Sequence, residues 1–170
     1  MLARIDSHIL RLNRWALIVM LSVMSLLTFS NVTLRFLTSH SMVWAEEVSR
    51  HLMIWLTFIG AGLVLRAGGH IAADNLQEYL PQRGARIVRA SVAVLLLVFF
   101  AAMAWQGVNY IAFQWGQTTA VLQIPFGFVY AAMPVGFVLM IYHLLQVAAP
   151  FILERRFHID EDGYTMGATQ

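Results

Sequence analysis

The residues with the clearest chemical potential are two adjacent carboxylates and a guanidinium at the start of an apolar stretch. Glu46 and Glu47 precede Arg50 by four and three residues, spacings that bring side chains together on a helix. The two carboxylates themselves point about 100° apart around the helix, which disfavours joint action as an acid–base pair. The sequence also lacks a glycine-rich phosphate loop and a recognisable nucleophile–base pair. We therefore predict a structural charge cluster and no enzyme activity.

Two histidines allow a different hypothesis. His70 follows the second apolar stretch and His143 lies late in the fourth. Histidines on separate membrane helices could be axial haem ligands, as in the anchor subunits of respiratory complexes. The simpler interpretation places His70 at the lipid headgroups and gives His143 a hydrogen bond within the protein. Because His70 lies beyond two glycines, we assign no cofactor and keep a haem- or quinone-associated anchor subunit as the alternative function.

The composition is that of an integral membrane protein. Of 170 residues, 59% are hydrophobic and 12% charged, and the mean hydropathy is +0.69. These values exclude an ordinary soluble domain. The absence of cysteine excludes disulfides, thiolate metal sites and a thiol nucleophile. Since lysine is also absent, every fixed positive charge is an arginine. In a membrane chain the net charge of +2 says nothing about nucleic acid, and we expect no nucleic-acid partner.

Four apolar stretches predict an all-α fold with four transmembrane helices. The membrane domain is expected at about 15–150, with spans at about 15–37, 43–66, 90–113 and 126–149. Pro134 predicts a kink in the fourth span. Residues 1–14 are interpreted as a cytoplasmic amphipathic head lying on the membrane surface, rather than as the start of a cleaved signal peptide. Residues 151–170 are interpreted as a cytoplasmic tail.

The long connection between the second and third spans predicts a short amphipathic helix at the membrane interface. Apolar and polar residues alternate over about 71–80, between a pair of glycines and a proline. The residues of interest here are His70, Asp74, Leu76, Leu80, Pro81 and Arg86.

The arginines predict the orientation. Nine of the eleven fall in the head, the second connection and the tail, while Arg35 and Arg50 fall at the opposite end of the spans. Arginine-rich segments face the cytoplasm. We therefore expect both termini in the cytoplasm and the charges around Glu46 at the periplasmic end.

A polar patch on the first span is expected to meet the carboxylates of the second. Asn31 and Arg35 share a helix face, and the short connection keeps them on the same side of the membrane as Glu46. Arg35 alone could snorkel to the headgroups, but we expect it to contact a glutamate. We predict that this cluster locks the first two spans together; presenting charge to another subunit is the alternative. Its members are Asn31, Arg35, Trp44, Glu46, Glu47 and Arg50.

This ordered set of residues resembles the small membrane subunit of the tripartite ATP-independent periplasmic (TRAP) transporters, the DctQ-like family. The strongest part of the resemblance is Trp44-Ala45-Glu46-Glu47 with Arg50, preceded by Asn31 and Arg35. The resemblance continues through His70-Ile71, Asp74, Leu76, Leu80-Pro81 and Arg86, and then through Leu122, Ile124-Pro125, Tyr130, Pro134 and Gly136. One departure is Ala73, where the family often has a larger aliphatic residue.

The resemblance implies a scaffold subunit without catalytic residues, cofactor or metal. Such a subunit pairs with a large multi-span membrane subunit (M) that carries the substrate and sodium sites. A periplasmic substrate-binding protein (P) delivers an organic acid such as a C4-dicarboxylate or a sialic acid. The sodium gradient drives uptake across the bacterial inner membrane, and membrane lipids surround the complex.

Overall fold

The structure is a computed structural model, and it describes residues 2–67 and 82–154. Within these ranges the chain is helical, with one isolated bridge between Thr118 and Pro125 and no strand. The helices are α1 (Leu2–Thr38), α2 (Val43–Arg66), α3 (Gln82–Gln114), α4 (Phe126–Tyr130) and α5 (Ala132–Glu154). Four helical segments are long and apolar enough to cross a membrane: Asp6–Thr38, Val43–Arg66, Arg83–Gln114 and Phe126–Ala148. The predicted all-α membrane fold is thus confirmed.

The interfacial helix predicted at about 71–80 lies outside the residues that the structure describes. The range 71–80, with His70, Asp74, Leu76, Leu80 and Pro81, falls among residues that the structure does not describe, as do residues 155–170 of the tail. Arg86 is described, and it is an exposed residue near the start of α3.

The head predicted at residues 1–14 is not a separate element. α1 runs without interruption from Leu2 to Thr38, so the head forms the first turns of the same helix as the first span. The physical reason is that this stretch contains neither glycine nor proline to stop a helix. At 1.5 Å per residue α1 is about 55 Å long, well beyond a hydrocarbon core of about 30 Å.

The proline in the fourth span coincides with a break. The segment predicted as one span at 126–149 is divided into α4 and α5, which are separated at Ala131. Pro134 lies in the first turn of α5, where its missing N–H costs least. The amide of Val135 bonds the Ala131 carbonyl at 3.3 Å, and this bond carries the helix past the break.

The four long helices form a row in the order α1, α2, α5, α3. α2 packs against both α1 and α5, and α3 packs against α5. Near the N-terminal end of α1, side chains of α1 also contact α5. The two central helices, α2 and α5, run parallel, and each outer helix runs antiparallel to its neighbour. The row therefore has two edges, formed by α1 and α3.

Glycines set the spacing of the central pair. A Cβ at Gly136 of α5 would lie 2.7 Å from the Phe58 Cβ and 2.8 Å from the Phe58 carbonyl oxygen, so a side chain there would force the helices apart. A Cβ at Gly62 of α2 would lie 2.9 Å from Cδ2 of His143. The buried apolar core gathers around the same pair: Leu65, Phe100, Phe137, Met140, Leu144 and Val147.

Candidate functional site

Two clusters of polar side chains lie at opposite ends of the row. We define the Glu47 cluster as Asn31, Glu46, Glu47 and Thr119 with the backbone amides of Val121 and Leu122. We define the Asp6 cluster as Asp6, Asn13, Arg66, Tyr142 and His143. The first lies where α2 begins and the second where α2 ends.

Glu47 holds the loop between α3 and α4. Its Oε2 accepts the Val121 N–H at 2.8 Å and its Oε1 accepts the Leu122 N–H at 3.2 Å. The Thr119 side chain lies beside this carboxylate. Glu47 is 8% exposed and Thr119 2%. The negative charge is therefore stabilised by peptide dipoles, in the manner of an anion held by backbone amides.

The loop itself is a tight turn closed by its own hydrogen bonds. Thr119 N–H donates to the Ile124 carbonyl at 2.9 Å, and the Thr119 hydroxyl accepts the Ile124 N–H at 3.2 Å. Gln123 has a positive φ of 55°, and its side-chain amide donates to the Ala120 carbonyl at 3.1 Å. The turn leaves the amides of Val121 and Leu122 pointing at α2, where Glu47 supplies their acceptors.

Asn31 joins α1 to the start of α2. Its Oδ1 accepts the Met42 N–H at 2.6 Å, and its Nδ2 donates to Oε1 of Glu46 at 3.4 Å. Asn31 is 8% exposed although it belongs to an outer helix. The predicted meeting of the first two spans is therefore present, but it is made by an amide side chain.

The predicted contact between Arg35 and a glutamate is wrong. Arg35 and Arg50 are exposed, and within the described ranges neither forms an ion pair with Glu46 or Glu47. The physical reason is that Glu47 turns toward the amides of the loop while Glu46 turns toward Asn31, so the carboxylates diverge as their helical spacing requires. Trp44, at 44% exposure, stands beside the cluster without joining it.

The Asp6 cluster ties three helices together. Arg66 at the end of α2 donates from Nη1 to Oδ1 of Asp6 at 2.7 Å and from Nη2 to Oδ2 at 2.5 Å. The hydroxyl of Tyr142 in α5 donates to Oδ1 of the same aspartate at 3.0 Å. Arg66 is only 5% exposed. This two-bond pairing is the strong, directional form of the arginine–carboxylate contact.

A histidine–asparagine contact extends the cluster inward. Nδ2 of Asn13 lies 3.4 Å from Nε2 of His143, which is completely buried. Gly62 lies against the imidazole ring. His143 is thus enclosed by α1 and α2 with no opening for a porphyrin, and the other haem candidate, His70, lies outside the described residues. The site does not fit axial haem ligation.

The Asp6 cluster was not predicted from the sequence. Asp6 is a lone acid among the arginines of the head, and Arg66 is one of the nine arginines that predict the orientation. A signal for their pairing was present, because Asp6 and Arg66 each lie where a span meets its polar flank, on the same predicted side of the membrane. Thr119 was also missed, because a hydroxyl in a polar turn carries no distinctive pattern.

Comparison with known proteins decides the family. The model of the family described as "Tripartite ATP-independent periplasmic transporters, DctQ component" matches residues 24–152. The chain belongs to this family. The DctQ family is a transporter component and not an enzyme family, so the predictions of the family and of no enzyme activity are confirmed.

Individual DctQ relatives differ in length. The ectoine TRAP transporter small permease protein TeaB of Halomonas elongata is 27% identical over 168 residues, which cover 96% of this chain and 87% of TeaB. The isethionate TRAP transporter permease protein DctMQ of Oleidesulfovibrio alaskensis is 33% identical over 106 residues, or 61% of this chain. That match spans 17% of the DctMQ protein. The C4-dicarboxylate small permease protein DctQ of Rhodobacter capsulatus is 33% identical over 115 residues, or 65% of this chain and 50% of the relative.

Proposed function

We propose that this chain is the scaffold subunit of a sodium-driven TRAP transporter in the bacterial inner membrane. The observation that supports a scaffold most directly is how the charges near the spans are used. Glu47 holds a loop, and Asp6 with Arg66 joins three helices. Residues 90–153 contain no charged side chain at all. An ion path normally lines the depth of the membrane with polar groups, so ion and substrate sites belong to another subunit.

The proposed partners are the large membrane subunit and a periplasmic substrate-binding protein. The relatives named for ectoine, C4-dicarboxylate and sialic acid are small permease proteins of TRAP transporters. By this likeness the substrate is a small organic acid, delivered by the binding protein. Surrounding membrane lipids complete the environment of the scaffold.

The proposed orientation places both termini in the cytoplasm and the Glu47 cluster at the periplasmic end. Because the chain has no cysteine, single cysteines report sidedness cleanly. With Ser41→Cys, a membrane-impermeant maleimide applied to intact spheroplasts is expected to label the chain. With Gln170→Cys, labelling is expected after permeabilisation alone. The reverse pattern would refute the orientation.

Reconstitution tests the function itself. Liposomes containing this chain alone are expected to show no substrate uptake with binding protein and an inward sodium gradient. Liposomes containing the chain with its large subunit are expected to show uptake that disappears without the gradient. Uptake by the chain alone, or an active large subunit that neither needs nor retains this chain, would sink the proposal.

We further propose that the Glu47 cluster acts as a lock, which holds α1, α2 and the loop between α3 and α4 together. It is not a docking site for the binding protein. Its two carboxylates already have partners in α1 and the loop. Glu47→Gln separates the alternatives: reduced recovery of the assembled complex supports the lock. Normal assembly with a weakened response to added binding protein would support docking instead.

A further inference from the structure

One edge of the row carries a surface that the chain itself does not cover. On α3 the side facing α5 is marked by Ala93, Phe100 and Gly107, which are buried. The opposite side is exposed along the helix. We call this side the α3 outer face and define it by Ser91, Val94, Val98, Ala101, Trp105 and Asn109, which are all exposed. These positions recur every three or four residues and so form one continuous stripe.

Two carboxamide side chains on this edge lie within the span. Gln106 and Asn109 are exposed, and Nδ2 of Asn109 donates to Oε1 of Gln106 at 3.4 Å. Gln106 is eight residues from the end of α3 at Gln114, or about 12 Å along the helix. A carboxamide has two donor hydrogens and an acceptor oxygen, so one mutual bond leaves most of this capacity unused. Where such a side chain lies in the hydrocarbon, lipid chains offer it no hydrogen-bond partner.

The outer side of α1 makes a useful contrast. It presents the bulky apolar residues Trp15, Leu26 and Phe29, at 60%, 66% and 71% exposure. The exposed polar residues of this stretch of α1, which include Ser22, Ser25 and Ser30, carry hydroxyls. A hydroxyl can bond the carbonyl four residues back in its own helix, as Thr33 does with Phe29 at 2.9 Å. Bulky apolar residues are exposed on both edges. The two edges differ in that the hydroxyls of α1 can be satisfied within their own helix, whereas the carboxamides of α3 keep unused hydrogen-bonding capacity.

Small residues make the α3 outer face able to receive a helix closely. Ser91 and Ala101 lie on the stripe among the larger residues Val94, Val98 and Trp105. Small side chains let membrane helices approach, and side-chain carboxamides bond across such interfaces. Shape and hydrogen-bonding capacity therefore indicate the same occupant, a transmembrane helix.

We propose that a transmembrane helix of the large membrane subunit packs on the α3 outer face and presents a hydrogen-bonding side chain to Gln106 and Asn109. This rests on the proposed function. It is supported by the DctMQ relative, in which the matched segment makes up 17% of one permease chain. In DctMQ, the region similar to this chain is therefore part of the same polypeptide as the rest of the permease. The partner helix needs a polar residue near the level of Gln106 and otherwise apolar contacts.

Bulky substitutions on the two edges of the row provide the test. Ser91→Trp and Ala101→Trp would fill the α3 outer face, and Ser22→Trp is the matched change on the outer side of α1. Each tagged variant is co-expressed with the large subunit, and the amount of large subunit that co-purifies is measured. Recovery is expected to fall about tenfold or more for the two α3 variants and to remain unchanged for Ser22→Trp. Each variant expressed alone should melt at the wild-type temperature, since these side chains face away from the fold.

The outcomes separate this inference from the proposed function. If the wild-type chain retains the large subunit and the α3 variants retain it equally well, the surface is assigned wrongly while the function stands. If the wild-type chain retains no large subunit, the function and the surface fall together. A Val98→Cys chain that forms a disulfide-linked homodimer in membranes containing the large subunit would assign the face to a second copy and overturn the proposal. Asn109→Leu, compared with Ser22→Leu, is expected to lower recovery through the lost hydrogen bonds alone.

Discussion

The Glu47 and Asp6 clusters stabilise a carboxylate by opposite means, with Glu47 buried and Asp6 partly buried. Glu47 is held by the peptide N–H groups of one loop. Asp6 is held by a guanidinium from α2 and a phenol from α5. Holding a carboxylate with peptide N–H groups buries no positive charge. A buried arginine, in contrast, is destabilising unless its carboxylate partner is present. The first cluster therefore fixes a local turn, and the second fixes the positions of whole helices.

The largest effect is expected from breaking the Asp6 cluster. Asp6→Leu leaves Arg66 buried without its carboxylate, and breaking a buried pair in this way typically costs about 3–5 kcal/mol. The free energy of unfolding, measured by titrating sodium dodecyl sulfate into mixed micelles, should fall by about this amount.

The double variant Asp6→Leu/Arg66→Leu is the control for that experiment. Replacing both charges by apolar residues is often nearly neutral, so most of the loss should return. Equal losses in the single and double variants would show that the ion pair is not the cause.

A smaller effect is expected from crowding the same cluster at Gly62. A Cβ there would lie 2.9 Å from the His143 ring, so Gly62→Ala should destabilise the chain by about 1–3 kcal/mol. Gly60→Ala is the matched control, because its Cβ would lie 3.7 Å from Leu17, an ordinary contact distance. Thermal melting in detergent should separate the two. Equal melting temperatures would mean that the helices adjust freely around His143.

Glu47→Gln is expected to act locally. The amide replaces one of the two acceptor oxygens by an NH2 donor. One of the Val121 and Leu122 N–H groups would then face a donor, so the amides of this loop should exchange with solvent faster. Hydrogen-exchange mass spectrometry of peptides covering the loop measures this, and the melting temperature should change less than in Asp6→Leu. Glu46→Gln is the control and should leave loop exchange unchanged. Unaltered exchange in Glu47→Gln would remove the loop-holding role.

The smallest effects are expected from the two asparagines of α1, one in each cluster. Asn31→Leu removes the acceptor for the Met42 N–H and should cost about 1 kcal/mol. Asn13 makes a long contact with His143, and its Oδ1 has no partner among the described residues. Asn13→Leu should therefore be close to neutral in the same unfolding titration. A larger loss of unfolding free energy for Asn13→Leu than for Asn31→Leu would contradict this ranking of the two asparagine contacts.

The contrast also explains what the sequence could predict. The spans followed from apolar length, and the meeting of the first two spans near Glu46 followed from a short connection, although the contact expected there was with Arg35. The partner of Glu47 could not be predicted, because backbone amides carry no side-chain signature. The assumption that a carboxylate needs a cation led instead to Arg35. The Asp6 contacts were inaccessible because they join residues 60 and 136 positions apart, and no local pattern encodes such distances.

The order of helices in the row has a consequence for biogenesis. α1 and α2 are consecutive and antiparallel, so they can pair as soon as both have left the ribosome. α2 and α3 are consecutive as well, yet each finds its main partner in α5, the last long helix to be synthesised. Until α5 inserts, the side of α2 that carries Gly62 and the side of α3 that carries Phe100 have no helix to pack against. The packing of α2 and α3 is thus completed only by α5. We expect contacts with a membrane insertase or chaperone to persist until α5 is in place.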